Sequence, residues 1–329
     1  MRILYIGNKL SHYGYSPSGV ETLGEQLAEF NDVQSISNKK NKLVRMADMV
    51  LSMIRRYNTY ELVLIDTFSG KAFWYAIICS FIAIILNKKY ILILRGGNLP
   101  KDIRSKRNIA TYILNYSLYN IVPSHYLDNF LKSINIKSEY IPNFINIGNY
   151  RFKNRQFCRP FLFWVRSFHK VYNPQMAILV LNELQKTYPE AKLCMVGPDK
   201  DGSLERCRKM AVKLGLQDSV QFTGFLAKDK WVEMSNNFDF FINTTNYDNQ
   251  PVSVIEAMSL GLPIVSTNAG GLKYLHNNGH DALIVNKNDF HAMVEKILIL
   301  LYKPTLVKSL TRNARSKAEA FDWGSIKNS

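Results

Sequence analysis

The chain has 329 residues, of which 47% are apolar and 21% charged, and its formal net charge is +16. That length exceeds one ordinary core and suits two domains of about 150 residues each, while the composition excludes a disordered or fibrous protein. A nucleic-acid partner is excluded for want of any reading module, since no zinc-ligand spacing, RNP-like aromatic motif or basic heptad helix occurs.

Residues 2–7 (RILYIG) form a short apolar run ending in glycine, followed by a polar loop to Gly19 and then by helical spacing of Val20, Leu23, Leu27 and Phe30. Strand, loop and helix in that order open a Rossmann-like unit. The runs 60–66 (YELVLID) and 90–95 (YILILR) are apolar at their centres, as parallel strands buried on both faces are, and 120–124 and 139–143 complete the first half. A second alternation follows: strands at 160–166, 191–197, 220–225, 239–245, 262–267 and 282–285, with helices at 174–187, 204–214 and from Val252. Two such series predict an α/β protein of two Rossmann-like, doubly wound domains joined within the basic stretch 149–159, with ligands bound in the cleft that they face.

The apolar stretch 72–86 (AFWYAIICSFIAIIL) is shorter than the roughly 20 residues a bilayer-spanning helix needs. It reads either as a buried helix of the first domain or as a helix lying on a membrane, with Lys71, Lys88 and Lys89 at its ends. The charge distribution bears on this, because residues 1–155 hold 21 Lys+Arg against 10 Asp+Glu, a net +11. Peripheral contact with an anionic membrane, or binding of a phosphorylated molecule, gives that excess a purpose. The four cysteines have no paired spacing, and the N-terminus enters a strand without a signal peptide, so a cytoplasmic protein with reduced thiols is expected, placed at the inner face of the cell membrane if that contact is made.

The segment Asp248–Gly271 concentrates the chemistry. Pro251 stands where a helix can begin, which puts Val252, Ser253 and Val254 in its first turn, where free N–H groups and the positive dipole end suit a phosphate. Glu256 follows about one turn inside, eight positions after Asp248, so the two carboxylates can reach opposite ends of one bound molecule and accept hydrogen bonds from sugar hydroxyls.

This segment resembles the signature of the retaining glycosyltransferases of family 4 (glycosyl transferases group 1), Glu-x7-Glu-Ala-Met-Ala-x-Gly-x-Pro-Val-Val ending in Gly-Gly. Glu256, Ala257, Met258, Gly261, Pro263 and Gly270–Gly271 match it, and Asp248, one methylene shorter, stands for the first glutamate. Ser18-Gly19-Val20-Glu21 is similar to the family's Gly-Gly-x-Glu loop, Tyr140-Ile-Pro-Asn143 to its Val-Ile-Pro-Asn, Val196-Gly197 to a strand-ending turn, and Phe222-Thr-Gly-Phe225 to the loop by the nucleotide base.

The resemblance implies a metal-independent hexosyltransferase of the type B two-Rossmann fold. Its donor would be a nucleotide sugar, a UDP-sugar before a GDP-sugar, and its acceptor a glycan or lipid-linked glycan in surface polysaccharide or lipopolysaccharide synthesis. Residues 1–153 would bind acceptor and 154–307 the nucleotide sugar, with a C-terminal helix at about 308–329 packed back on the first domain. No cofactor or metal is implied. Arg166 takes the family's diphosphate-neutralising arginine and Lys170 its lysine, although the usual Lys-Gly is missing. Asp248 and Glu256 would hold the donor sugar and ribose, with Gly19, Phe225 and the amides of Val252–Val254 completing the donor site; Ser18, Arg95 and Gly96 would meet the acceptor. His12, His125 and His169 are loop candidates for facing the cleft, and the Asp199-Lys-Asp201 run reads as a turn rather than a metal site. Two other functions fit these residues: a non-catalytic nucleotide-sugar-binding protein, and a sugar-nucleotide epimerase on the same fold.

Overall fold

Apolar runs of four to six residues alternating with amphipathic helices produce parallel sheets, because each crossover helix returns the chain to the end of the sheet where the previous strand began. The computed structural model describes residues 1–328. It divides into two units, 1–141 and 142–329 by contact, each built on one six-stranded parallel sheet.

The first unit contains strands β1 (Arg2–Ile6), β2 (Asp32–Ile36), β3 (Leu62–Thr67), β4 (Lys89–Leu94), β5 (Tyr119–Val122) and β6 (Glu139–Tyr140), in the order β2-β1-β3-β4-β5-β6. Its helices are α1 (Gly19–Ala28), α2 (Lys42–Arg55), α3 (Phe73–Ile85), α4 (Leu99–Ser105), α5 (Arg107–Tyr116) and α6 (His125–Lys132). Strand β3 is buried at every position, as the apolar run Leu62–Ile65 predicts, and the burial extends to the polar Asp66 and Thr67. Helix α3 is the 72–86 stretch, and the buried-helix reading holds: Phe73, Tyr75, Ala76, Ile77, Cys79, Ser80 and Ala83 are buried in the first core. Among the described residues no helix is long and apolar enough to cross a membrane. Several elements went unforeseen, among them β2, α2 and the helices α4, α5 and α6. Strand β2 (DVQSI) is too polar to announce itself, and α2 carries its apolar residues on two faces.

The second unit contains β7 (Phe161–Val165), β8 (Lys192–Val196), β9 (Val220–Gly224), β10 (Phe240–Asn243), β11 (Ile264–Thr267) and β12 (Leu283–Val285), in the order β12-β11-β10-β7-β8-β9. Around them lie α7 (Pro174–Leu184), α8 (Ser203–Lys213), α9 (Lys228–Met234), α10 (Val252–Ser259), α11 (Leu272–Leu275), α12 (Phe290–Tyr302), α13 (Pro304–Glu319) and α14 (Trp323–Ile326). The chain runs outward from β7 to β9, then returns to β7's other side and runs outward again to β12. The strand order therefore reverses between β7 and β10, the position where doubly wound sheets bind ligands.

The division falls at Ile141/Pro142, earlier than the expected 153/154 join. Residues 142–155 are tied to the second unit by hydrogen bonds. Asn143 Nδ2 donates to the Gln250 carbonyl at 2.7 Å, and the buried Arg155 guanidinium donates to the carbonyls of Leu260 (2.9 Å), Gly261 (2.8 Å) and Phe238 (3.2 Å). The C-terminal stretch, expected on the first domain, also belongs to the second unit. Helix α13 packs on α10, with Arg315 donating to the carbonyls of Tyr150 and Ser259 at 2.8 Å each, and Trp323 donates its amide to the Ile145 carbonyl at 2.9 Å. The thiols of Cys79, Cys194 and Cys207 are buried and Cys158 is partly so, and burial pushes each up to about 12.

Candidate functional site

Arg166 is the residue after β7, and Asp248 lies in the loop after β10, so both stand beyond the carboxyl ends of the two strands that flank the reversal in the second sheet. The Arg166 guanidinium is ion-paired with the Asp248 carboxylate and lies 4.6 Å from the Tyr172 ring centroid. Its Nε is buried without a hydrogen-bond partner, and burial lowers its pKa against the opposing pull of Tyr172 and Glu256. A cation this far desolvated acts on a nearby anion more strongly than one in water. Close approach of the neighbouring loop requires glycine: Gly197, at φ +149°, leaves no room for a Cβ beside the Arg166 carbonyl.

The Asp248 loop is clamped from two sides. The Gly271 amide donates to the Asp248 carbonyl at 3.0 Å, and a Cβ on Gly271 would overlap the Asn249 carbonyl, which is the physical reason for a glycine there. From the other side Asn143 donates its amide to Gln250 Oε1 at 2.5 Å, so the Pro-Asn pair fixes the residue before Pro251. Pro251 then occupies the N-cap position of α10. The first two amide donations within the helix, from Val254 (3.1 Å) and Ile255 (3.4 Å), go to the Pro251 carbonyl. The amides of Val252 and Ser253 have no protein acceptor among the described residues and stand at the positive end of the dipole.

Glu256, buried on the second turn of α10, receives two partners on Oε1: Tyr150 donates its phenol at 2.7 Å and Lys228 its ammonium at 2.7 Å. Burial and the Glu256 charge together push the Tyr150 phenol above its ordinary range, which keeps it a donor. Sequence reading missed Tyr150, Lys228 and Gln250. Lys228 opens α9 behind the Gly224–Phe225 loop, where Phe225 is exposed, and nothing in its spacing marks it.

Lys170, by contrast, is exposed on a 3-10 turn (Lys170–Tyr172), where its amide donates to Asp201 Oδ2 at 3.0 Å and its side chain forms no ion pair among the described residues. The structure thus groups Arg166, Asp248, Glu256 and the first turn of α10, and the lysine at Glu256 is Lys228. Asp199 and Asp201 form the expected turn: Asp199 accepts the Gly202 amide at 3.0 Å and Asp201 the Ser203 amide at 3.1 Å. His169 Nδ1 accepts the Val171 amide at 3.1 Å, and His125 stacks on Tyr140 at 4.1 Å.

In the first unit the strand order reverses between β1 and β3, and the N-terminus of α1 lies there. A carboxylate already meets it. Asp66 Oδ2 accepts the Val20 amide at 3.0 Å, while Oδ1 accepts the Tyr5 phenol at 3.0 Å and Arg95 Nε at 2.5 Å. Arg95, the candidate for acceptor contact, is thus ion-paired with Asp66. Burial opposes its charge, but Asp66 and Tyr5 outweigh burial and hold its pKa above the ordinary arginine value. Its guanidinium packs on Gly19, where any Cβ would overlap it, and Gly96 packs equally closely on Ser69. Ser18 donates its hydroxyl to the Asn8 carbonyl at 2.8 Å, and its amide donates to Glu21 at 2.9 Å, one half of a capping box.

Residues 148–317, more than half of the chain, match the model of the family glycosyl transferases group 1. The chain is similar to the sulfoquinovosyl transferase of Arabidopsis thaliana, 26% identical over 152 residues covering 45% of this chain and 29% of that protein. It is similar also to the mannosylfructose-phosphate synthase of Agrobacterium fabrum, 30% identical over 154 residues covering 44% and 33%. These matches span about a third of the length of those curated relatives. Among solved structures, sucrose-phosphate synthase from Thermosynechococcus elongatus superposes with a TM-score of 0.81 at 16% identity, covering 99% of this chain and 96% of that one. An Anabaena protein in complex with UDP-glucose superposes at 0.78 and 16% identity, covering 100% and 97%. Those likenesses establish the two-Rossmann α/β fold, and the sequence match over 148–317, which contains the whole Arg166–Asp248–Glu256 group, establishes that this chain belongs to the glycosyl transferases group 1 family.

Proposed function

We propose that this chain is a retaining, family 4 glycosyltransferase that moves a sugar from a nucleotide diphosphate, a UDP-sugar in the first instance, to a glycan or lipid-linked acceptor, in surface polysaccharide or lipopolysaccharide synthesis. The observation that carries the reading is the grouping of a desolvated Arg166, the open first turn of α10 and two carboxylates beyond the β7/β10 reversal. In this reading the amides of Val252 and Ser253 face the diphosphate, while that of Val254, expected to join them, is donated to the Pro251 carbonyl; Glu256 accepts from ribose hydroxyls, and Asp248 accepts from the donor sugar. Negative charge grows on the departing diphosphate, so Arg166 stabilises the transition state more than the ground state. That requires Arg166 to exchange Asp248 for phosphate oxygens as donor binds, which frees Asp248 for the sugar. Lys170 is the second cation assigned to the diphosphate and Phe225 the residue by the base; Gly19, Ser18, Arg95 and Gly96 line the acceptor side. With Arg166 and the helix N-terminus in these roles no metal is needed, and chelation should leave the rate unchanged.

The relatives' names support the reading: one is a sulfoquinovosyl transferase, and one structural neighbour holds UDP-glucose. Thermal-shift titration with UDP, GDP, ADP and their sugars tests it, since a ligand selective for the folded state raises the melting temperature. A UDP-sugar that stabilises the protein and is consumed only with a glycan acceptor supports transfer. Stabilisation by none of these nucleotides ends the proposal. The ion pair that neutralises Arg166 also favours one rival, a protein that binds a nucleotide sugar without turnover, and the absence of product with any acceptor would select it.

A further inference from the structure

The apolar stretch that reads from sequence either as a core helix or as a membrane contact is α3, and α3 is in the core. Helix α2 presents the surface instead. Its inner face buries Arg45, Met49 and Met53. Its outer face exposes Leu43 (82%), Val44 (52%), Leu51 (45%) and Ile54 (49%), together with Ala47. At 3.6 residues per turn these five positions share an arc of roughly 100°, a continuous apolar stripe along a helix about 21 Å long. A soluble helix normally turns charge to that side.

Charge borders the stripe, and it is of one sign. Lys39, Lys40 and Lys42 stand at its N-terminal end, with Arg55 and Arg56 at the other, all exposed. The one acid on the helix, Asp48, is hydrogen-bonded by the Ser37 hydroxyl. Each end also carries a half-exposed tyrosine under a lysine: Lys40 lies 5.6 Å from the Tyr13 ring centroid and Lys88 lies 4.2 Å from that of Tyr57. Apolar stripe, basic rim and tyrosines at the margins make up the chemistry of a helix lying in a lipid interface, since tyrosine sits at headgroup level and lysine and arginine attract anionic headgroups.

We propose that α2 docks this protein on an anionic bilayer surface, with Leu43, Val44, Leu51 and Ile54 entering the acyl boundary. This stands on the surface alone and does not depend on the transferase reading. The test is flotation of the full chain with vesicles of phosphatidylcholine, with and without phosphatidylglycerol. The parent protein should float only with the anionic vesicles, and less as salt rises, because screening weakens exposed charge. Replacing Leu43, Leu51 and Ile54 together by serine should cut binding about tenfold or more, as should Lys40→Glu with Lys42→Glu and Arg55→Glu. Ile85→Ser, at the exposed end of α3, should leave binding unchanged. All variants alter exposed side chains, so an unchanged melting temperature shows that each is folded. Parent protein that stays in the pellet with anionic vesicles at low salt overturns the proposal. So does a triple-serine variant that floats as well as the parent, or one that loses a parent dimer on sedimentation without losing vesicle binding, which would make the stripe a contact between copies.

Discussion

Tyr150 donates a 2.7 Å hydrogen bond to Glu256 from 106 positions earlier in the chain. Lys228 reaches the same oxygen, Oε1, and among the described residues Oε2 has no protein partner. One carboxylate oxygen is thereby fixed by two donors.

Tyr150→Phe removes the neutral donor and leaves the ion pair. Hydrogen bonds to charged groups contribute about 1.5–3 kcal/mol, and Lys228 compensates in part, so a stability loss near 1–2 kcal/mol is expected from urea unfolding. Nucleotide affinity should fall several-fold with kcat little altered. A kcat loss at unchanged KM would contradict a positioning role for Tyr150.

Arg166→Ala should lower kcat at least tenfold, since one preorganised donor to developing charge supplies about 100- to 1,000-fold in comparable sites. The Asp248 carboxylate also loses its partner, so Arg166→Lys is the companion variant, expected to recover part of the rate. Steady-state kinetics with the donor found by thermal shift decides it, and a rate equal to the parent's removes Arg166 from the mechanism.

Lys170 and Lys228 compete for the role of the second cation. Lys170→Met should lower kcat if the exposed ammonium reaches the diphosphate, whereas Lys228→Met should act on donor KM through Glu256. If only the Lys228 variant affects catalysis, the assignment of Lys170 fails.

Arg155→Met should destabilise the protein by about 3 kcal/mol or more, measured by chemical unfolding, without changing KM in the protein that remains folded. The guanidinium is buried, and burial lowers its pKa to about 10, yet it holds the carbonyls of Phe238, Leu260 and Gly261 and lies 3.7 Å from Asp239. Removing one partner of a buried group strands the others.

Acid should weaken the second unit in two stages. Burial lowers the His276 pKa below its ordinary 6.5, so the folded state prefers neutral imidazole and loses stability as pH falls below about 6.5, down to the folded value. Burial pushes Asp281 upward, but hydrogen bonds from His276 and from Lys317 at 2.7 Å outweigh it and hold the carboxyl below the ordinary range. Its contribution is present above about pH 4 and is lost below that. Melting temperatures between pH 7 and 3 should fall in both windows, and His276→Gln should flatten the upper one; an unchanged upper slope would place that loss elsewhere.

The sequence by itself determined the α/β class, the two series of strands, the start of α10 at Val252 and the carriage of Asp248 and Glu256 by one segment. Those features are local: apolar runs set strands, a proline sets a helix start, and eight positions across a loop and a first turn fix two acids near each other. Tertiary structure decided what spans long separations. Only the strand order puts Arg166 beside Asp248, 82 positions apart, because β10 pairs directly with β7. The same packing gave Glu256 a tyrosine and a lysine, and Arg95 a carboxylate in Asp66, that no spacing announces. It also decided between the two readings of the 72–86 stretch, in favour of the buried helix. Hydropathy singled out the apolar α3, which the core absorbed, whereas the stripe on α2 shows only once the sheet fixes which of that helix's two apolar faces is turned inward.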